Sequence, residues 1–306
     1  MSKYERPVKP TLVLLMSLIL TANLMGQQRE TVVLDSLTSR YETAGLRGVH
    51  DLLDEFKTAQ FSDSIMNVSL LVNVAVYIFQ NGERHDAISL LEGVKEEYPD
   101  SIALFSVLGQ LHWYSDNREG CIESFKHTLS LDSTNSLARR YLDLLFFVPD
   151  DFSPPDSMIT AHLKIRPLTV EDVELDYNAV MNSREHIRGV FGPDDDWPAD
   201  DLSMDDDLKA LENHELEHKR KAAFTYTVMN HDESRCLGCI YLVPVHMEEF
   251  DCQVYMWVTK HAFDRGWDAE LYSSVRQWID DAWPFEKVAY PGREIDWDTW
   301  SEFDEY

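Results

Sequence analysis

Positive charge is scarce in this 306-residue chain: 27 lysines and arginines stand against 55 aspartates and glutamates, for a net charge of −28. The imbalance is greatest in residues 151–306, which carry a net charge of −21, against −9 for residues 28–150. Because an acidic surface repels phosphate backbones, we expect no nucleic-acid partner. The same charge would attract a cationic amine, although an acidic surface also serves solubility alone.

Long apolar runs are missing as well, apart from residues 11–24, which are too few for a comfortable membrane span. This run follows the basic residues Lys3, Arg6 and Lys9 and precedes Gly26, an order typical of a signal peptide. We expect cleavage near Gly26, so that residues 1–26 are removed and the protein is periplasmic or secreted, with no membrane span left. An uncleaved N-terminal anchor is the alternative.

Cysteines number only four, and Cys236 and Cys239 form a C-x-x-C spacing inside a predicted strand. Because side chains alternate along a strand, we expect these two thiols to point to opposite faces, unable to bridge each other or to hold one metal ion. A disulfide between Cys239 and Cys252 on neighbouring strands is geometrically possible. We favour small, buried core residues instead, and we predict no metal site.

Residues 68–133 show a 34-residue period, with apolar or small residues recurring at that spacing: Leu71 and Phe105, Ala87 and Cys121, and Leu91 and Phe125. The pattern resembles the tetratricopeptide repeat (TPR), whose helix pairs stack through small residues. The resemblance implies an all-α repeat domain, placed here at residues 30–148, with a groove for a protein or peptide partner. The alternative is that the helices only pack against the rest of the chain.

Residues 149–160 are rich in proline and aspartate and predict a linker. In residues 161–306, apolar alternation predicts strands at 163–168, 224–229, 236–244, 252–258 and 287–290. Capping signatures at Thr169 and Ser203, each with an aspartate three residues later, predict two helices. Another helix follows Gly266, and its predicted apolar face consists of Leu271, Val275, Trp278, Ile279 and Ala282.

This order of elements resembles the Gcn5-related N-acetyltransferase (GNAT) family over roughly residues 162–295. The resemblance implies an α/β (α+β) domain with a mostly antiparallel mixed sheet, acetyl-CoA or another acyl-CoA as cosubstrate, and an amine as acceptor. In that family a glycine turn before a helix wraps the coenzyme pyrophosphate, and Gly266 in the run 263–268 fits it. By this resemblance the coenzyme would contact Trp257, Val258, Thr259, Arg265, Gly266, Trp267 and Asp268.

If the domain is such a transferase, we expect Glu215, His218, Gln253 and Tyr255 to line the acceptor side, where Glu215 or His218 would take a proton from an ammonium. Phe263 and Asp268 stand where the family has Gln or Arg and a small residue, and Gln253 stands where it often has Glu. A catalytically inactive GNAT-like scaffold that binds a ligand or partner is therefore the alternative.

Residues 214–218 spell H-E-x-x-H, the pattern in which two histidines of a metallopeptidase hold zinc. The flanking residues are charged, and no third histidine follows at the usual spacing. A zinc metallopeptidase is thus a distant alternative. On the helix, Glu215 and His218 share the side of Leu208 and Leu211, so we expect them to face the body of the domain.

Overall fold

The computed structural model describes residues 24–58, 68–247 and 249–303; residues 1–23, which hold most of the predicted signal peptide, lie outside it. The chain divides into two compact units, one up to Leu142 and one from Asp143 onward. Among the described helices, none combines the length and the apolar character that crossing a membrane requires.

The first unit is helical. Its helices are α1 (Leu24–Thr58), α2 (Val68–Gln80), α3 (Arg84–Val94), α4 (Ile102–Tyr114), α5 (Arg118–Leu131) and α6 (Ser136–Phe146), the last crossing the boundary between the units. Helix α1 is interrupted at Gly45, whose φ of 62° and ψ of −158° are not helical. Helix α4 starts 34 residues after α2, and α5 starts 34 residues after α3. The helical character is as expected, whereas the TPR-like assignment stays a prediction.

Apolar side chains of α1 to α4 form the core of this unit, and the fully buried ones include Leu37, Val74, Ile78, Leu90 and Leu104. Helix α5 packs on α4 at Gly109, where an added Cβ would lie 2.8 Å from the Phe125 ring. A glycine is therefore needed for the two helices to approach this closely. The start of α6 is capped by Asn135, whose side chain accepts a hydrogen bond of 3.0 Å from the amide of Ala138.

The second unit is a mostly antiparallel mixed sheet with helices, the α/β (α+β) architecture expected from the sequence. In chain order its elements are β1 (Met158–Ile159), β2 (Lys164–Pro167), α7 (Val173–Ile187), α8 (Met204–Arg220), β3 (Phe224–Met229), β4 (Cys236–Val243), β5 (Cys252–Val258), α9 (Lys260–Phe263), α10 (Trp267–Ala282), β6 (Val288–Ala289) and α11 (Trp297–Trp300). The six strands lie side by side in sequence order. All neighbours are antiparallel except β5 and β6, which are parallel. Strand β1 lies within the segment that the sequence predicts as a linker.

Both capping signatures in this unit form as predicted. Thr169 and Asp172 cap each other, since the Asp172 carboxylate accepts from the Thr169 amide at 3.0 Å. The Ser203 hydroxyl accepts from the amide of Asp206 at 3.2 Å and starts α8. These caps fix where α7 and α8 leave the loops and cross the sheet.

The sheet buries a different set of side chains on each face. Strand residues such as Phe224, Tyr226 and Ile240 share a core with Val275 and Ile279 of α10. The opposite face carries a second core that includes Tyr241, Tyr255 and Trp257 together with Val180 of α7. Alternation along the strands thus produces two packed layers of helix on one sheet.

A β-bulge in β4 overturns the expected orientation of the C-x-x-C pair. Val228 pairs with Gly238 and Met229 pairs with Cys236, so Leu237 has no partner on β3. The extra residue reverses the alternation, and Leu237 joins the α10 side while Cys236 and Cys239 both join the α7 side. The prediction that the two thiols point to opposite faces is therefore wrong. All four cysteines are buried and free, so the possible Cys239–Cys252 disulfide is not formed in this structure.

Candidate functional site

Strands β5 and β6 pair over two residues only and then separate. Their parallel pairing consists of Cys252 with Val288 and Gln253 with Ala289. Strand β5 continues to Val258, whereas β6 ends at Ala289 and is followed by Pro291 and a left-handed Gly292. The separation leaves a cleft of about 270 Å³, one wall of which is residues 254–258 of β5.

The other walls of the cleft come from two loops. The turn at Pro291, Gly292 and Arg293 forms one of them together with Trp297, and residues 186–190 at the end of α7 form the other. Gly292 has a φ of 75°, and an added Cβ would lie 2.6 Å from the Trp297 ring. No other residue type fits here without moving the indole, so this glycine fixes the shape of the wall.

Helix α10 begins beside the cleft with the glycine turn that the sequence predicts. Gly266 adopts a left-handed conformation, with φ of 78°, and has no side chain with which to cap the helix. Asp268 in the first turn lines the cleft. The amides of the first turn of a helix have no intrahelical partner and carry partial positive charge, which favours an anion at this end.

Arg293 links this helix start to β5. Its guanidinium donates to both carboxylate oxygens of Asp268, at 2.7 and 3.0 Å, and also to the carbonyl of Met256 at 3.2 Å. The Met256 carbonyl lies on the part of β5 that has no β6 neighbour. Arg293 therefore supplies a hydrogen-bond partner for a carbonyl of β5 that has no β6 neighbour, and it neutralises the charge of Asp268 at the same time.

Of the seven residues predicted to contact a coenzyme, Trp257, Val258 and Asp268 line the cleft. Thr259 caps α9 through its hydroxyl, which accepts from the Ala262 amide at 3.4 Å. The side chain of Arg265 donates to the carbonyl of His261 at 3.0 Å. Trp267 stacks on His162 at 5.2 Å between ring centroids. Thr259, Arg265, Gly266 and Trp267 are thus placed around the turn and not in the lining.

Of the four predicted catalytic residues, Tyr255 lines the cleft. Its hydroxyl donates to Gln253 Oε1 at 2.8 Å, and Gln253 Nε2 in turn donates to the carbonyl of Pro244 at 3.1 Å. This chain of hydrogen bonds fixes the phenol of Tyr255. Gln253 itself contributes no atom to the lining.

Glu215 and His218 lie away from the cleft lining. Glu215 accepts a hydrogen bond of 3.2 Å from the amide of Val170. His218 packs edge-on against Phe224 and Tyr226, on the face of the sheet that α10 covers. Both side chains do face the body of the unit, as expected. Burial lowers the pKa of His218, against a smaller opposing effect of Asp156.

The H-E-x-x-H segment does not gather a third metal ligand. His214 contacts Glu217 at 3.3 Å on its own helix, while His218 faces the aromatic rings. In the part of the chain that the structure describes, a different group meets the conditions for metal binding, namely Asp176, Cys236 and Cys239. The zinc metallopeptidase alternative has no support from this arrangement, and the expectation of no metal stays a prediction.

Arg293, Trp297 and His186 line the cleft but are not among the predicted site residues. The dipeptide Pro291-Gly292 after a short strand marks a sharp turn, and the basic residue directly after it is a signal from which Arg293 could have been identified. His186 and Trp297 carry no such local signal. They line the cleft only because the fold places the end of α7 and the start of α11 beside it.

Comparison with protein-family models finds no match, and comparison with curated proteins finds none either. Among solved structures, a ribosomal-protein-S5-alanine acetyltransferase from Vibrio fischeri shows 15% identity and a TM-score of 0.36, covering 44% of this chain and 72% of its own. A ribosomal-protein-serine acetyltransferase, described as putative, from Vibrio cholerae shows 13% identity and a TM-score of 0.33, covering 42% and 68%. Likenesses of this size are too weak to carry an argument about activity.

Proposed function

We propose that the second unit is a GNAT-like N-acyltransferase domain that moves an acyl group from acyl-CoA to an amine. The separation of β5 from β6 after Gln253 carries this proposal, because it opens backbone groups of residues 254–258 toward a cleft that ends at the start of α10. An extended arm such as pantetheine can pair with a free strand edge, and a pyrophosphate suits a helix N-terminus.

The residues around the cleft fit such a cosubstrate in part. Backbone groups of Trp257 and Val258 would pair with the arm, and the amides after Gly266 would hold the pyrophosphate, with Arg293 as a cation in the cleft lining. The carboxylate of Asp268 opposes phosphate binding unless Arg293 continues to neutralise it.

In the proposed reaction a neutral amine attacks the thioester carbonyl, so that a C–N bond forms and the C–S bond breaks. The coenzyme leaves as the thiolate, and the ammonium proton passes to that thiolate or to solvent. Tyr255 would line the acceptor side, where its hydroxyl oxygen can accept a hydrogen bond from the amine while its proton is donated to Gln253. The net charge of −21 on residues 151–306 would draw a cationic acceptor toward the unit before it loses a proton.

A catalytically inactive ligand-binding or partner-binding scaffold is the second candidate. The hydrogen bond from Arg293 to the Met256 carbonyl favours it, because that carbonyl is one of the groups that a pantetheine arm would need. A scaffold of this kind would keep the Arg293–Asp268 pair as a permanent part of its structure.

Binding and turnover separate the two candidates. Titration calorimetry and thermal shift with acetyl-CoA test binding, and a ligand at 100 times its Kd would add about 2.7 kcal/mol of stability. Thiol release in the presence of amines, such as a polyamine or a peptide N-terminus, tests transfer. Saturable binding with amine-dependent thiol release is the expected result. Binding without release favours the scaffold, and no binding at millimolar acetyl-CoA contradicts both the enzyme and a coenzyme role.

We also propose that the helical unit binds a protein or peptide and that the chain is exported. The 34-residue spacing of the helix starts supports the first proposal, and the order of basic, apolar and small residues in 1–26 supports the second. N-terminal sequencing of the mature protein tests export: a start near residue 27 is expected, and an intact Met1 in a soluble cytosolic fraction contradicts it.

A further inference from the structure

Three metal-ligating side chains meet in the core of the second unit, on the α7 side of the sheet. Cys239 Sγ lies 3.2 Å from Asp176 Oδ1, and Cys236 Sγ lies 3.6 Å from the same oxygen. All three ligand atoms are within 4.8 Å of one another, and all three residues are buried. The bulge at Leu237 makes this possible, because it turns both cysteines toward Asp176 on α7.

These separations suit a tetrahedral metal ion. Zinc binds thiolate sulfur at about 2.3 Å and carboxylate oxygen at about 2.0–2.2 Å, so neighbouring ligand atoms of a tetrahedral site lie about 3.5–3.8 Å apart. The observed distances from Asp176 to the two sulfurs require shifts of only a few tenths of an ångström to match. Two sulfurs and one oxygen are also a donor set that zinc accepts more readily than magnesium or calcium.

The charge of the cluster lacks compensation without a cation. Among the described residues, the charged neighbours that act on Asp176 are His214 and Asp172, and not a lysine or an arginine. A buried carboxylate without a hydrogen-bonded positive partner is costly, and coordination to a divalent cation would offset much of that cost.

Helix α8 supplies a second, independent sign of a ligand. Asp207 is 5% exposed, and its Oδ2 atom has no hydrogen-bond partner among the described residues. Its carboxyl interacts electrostatically with that of Asp176, although it is not among the ligand atoms that lie within 4.8 Å of one another. Buried carboxylate oxygens without a partner are rare in folded proteins and call for an explanation.

We propose that Asp176, Cys236 and Cys239 bind one Zn²⁺ ion. The site lies in the core of the unit and away from the cleft lining, which makes it structural and not catalytic. It would tie α7 to β4 next to the bulge. On binding, each thiol gives up its proton to solvent and the thiolate sulfur donates an electron pair to the metal. This proposal is independent of the acyltransferase proposal, because it concerns the core and not the cleft.

Metal content and cobalt substitution test the site. The full chain, purified without a metal-affinity tag, would be analysed for zinc by mass spectrometry, then unfolded with chelator and reductant and refolded with ZnCl₂, with CoCl₂ or without metal. We expect one zinc per chain, a thiolate-to-cobalt charge-transfer band in the cobalt form, and a higher Tm with zinc than without.

Matched variants assign the ligands. Cys236→Ser, Cys239→Ser and Asp176→Asn should each remove most of the bound zinc, and the two cysteine variants should weaken the charge-transfer band. Asp207→Asn, which alters a neighbouring carboxyl outside the ligand cluster, should lower zinc affinity less than loss of a ligand does, by about 10- to 100-fold. Cys252→Ser is the control, because Cys252 is also a buried cysteine of this sheet but belongs to the core on the α10 side. It should keep the zinc and the band.

The refolded wild type decides the question even if the variants fail to fold. A folded wild-type protein that takes up no zinc, or a cobalt form without the charge-transfer band, overturns the proposal. A Cys236–Cys239 disulfide in a metal-free native protein overturns it too. Equal loss of zinc in Cys252→Ser and Cys239→Ser would show that the metal does not depend on this cluster.

Discussion

Arg293 and Asp268 form a two-hydrogen-bond ion pair, at 2.7 and 3.0 Å, between the turn after β6 and the first turn of α10. Both side chains are about three-quarters buried and both line the cleft. Any anion that enters beside α10 therefore meets a cation whose charge is already neutralised. The pair sets how strongly the cleft can attract a phosphate.

Asp268→Asn is expected to tighten coenzyme A binding about fivefold. Loss of one nearby negative charge removes about 1 kcal/mol of repulsion, the value for two unit charges about 4 Å apart in water, and leaves Arg293 free to pair with phosphate. Titration calorimetry with coenzyme A at low salt measures the change. Asp281→Asn, at the exposed far end of the same helix, is the control and should bind as the wild type does. Unchanged or weaker binding by Asp268→Asn would count against a phosphate beside Arg293.

Gly266→Ala and Gly292→Ala should lower the free energy of unfolding by different amounts, although both glycines have positive φ. At Gly266 an added Cβ meets nothing within 4 Å, so only left-handed backbone strain of about 1–2 kcal/mol is expected. At Gly292 the Cβ also meets the Trp297 ring at 2.6 Å, and we expect about 2–4 kcal/mol. Urea unfolding followed by tryptophan fluorescence measures both, since seven of the eight tryptophans follow Asp143.

Trp297→Ala supplies the control for the Gly292 prediction. In a chain that already lacks the indole, Gly292→Ala should cost only the backbone strain, the same as Gly266→Ala. If Gly292→Ala costs the same with and without Trp297, the close contact between the glycine and the ring is not what limits this position.

Local pattern was enough to predict most elements of the second unit. Strand β5 and the start of α10 follow the alternation of residues 252–258 and the glycine at 266, and the caps at Thr169 and Ser203 formed as expected. These features depend on residues close together in sequence, where steric and hydrogen-bonding rules act directly.

Features that depend on one inserted residue or on distant contacts were not predictable in the same way. The bulge at Leu237 reversed the orientation of Cys236. Gly238 inside the strand is a general sign of a bulge or of a close backbone approach, but it does not specify which residue will lack a partner. His218 faces inward as its position on the helix predicts, but the crossing of α8 over the sheet placed it against Phe224 instead of the cleft. Helix periodicity predicts which side of the helix a residue faces, but not which other residues that side will contact.

Gly109→Ala should destabilise the helical unit by about 1–3 kcal/mol, because the added methyl would overlap the Phe125 ring, whose nearest atom lies 2.8 Å from the Cβ position. Gly93→Ala is the matched control: it is also a helical glycine, yet its Cβ would meet nothing within 4 Å. That substitution should stabilise the unit by about 0.5 kcal/mol, because alanine lowers the conformational entropy of the unfolded chain. Far-ultraviolet circular dichroism during urea unfolding measures both. Equal effects would mean that α4 and α5 do not pack closely at this position.

His218 should make the stability of the second unit depend on pH. Burial among Phe224 and Tyr226 lowers its pKa, and its Nδ1 atom has no hydrogen-bond partner among the described residues. The folded state therefore binds fewer protons than the unfolded state at acid pH. The free energy of unfolding is unaffected by this group above about pH 6.5, the ordinary histidine value, and falls as the pH drops below it.

His218→Gln should remove this part of the pH dependence. Urea unfolding at about pH 7.5 and about pH 5.5 gives the loss of stability for each protein, and the loss should be smaller in the variant than in the wild type. His231→Gln, which alters an exposed imidazole, is the control and should lose as much as the wild type. If His218→Gln and the wild type lose the same stability on acidification, then the imidazole of His218 is not held neutral in the folded protein, and its place against the aromatic rings does not govern its charge.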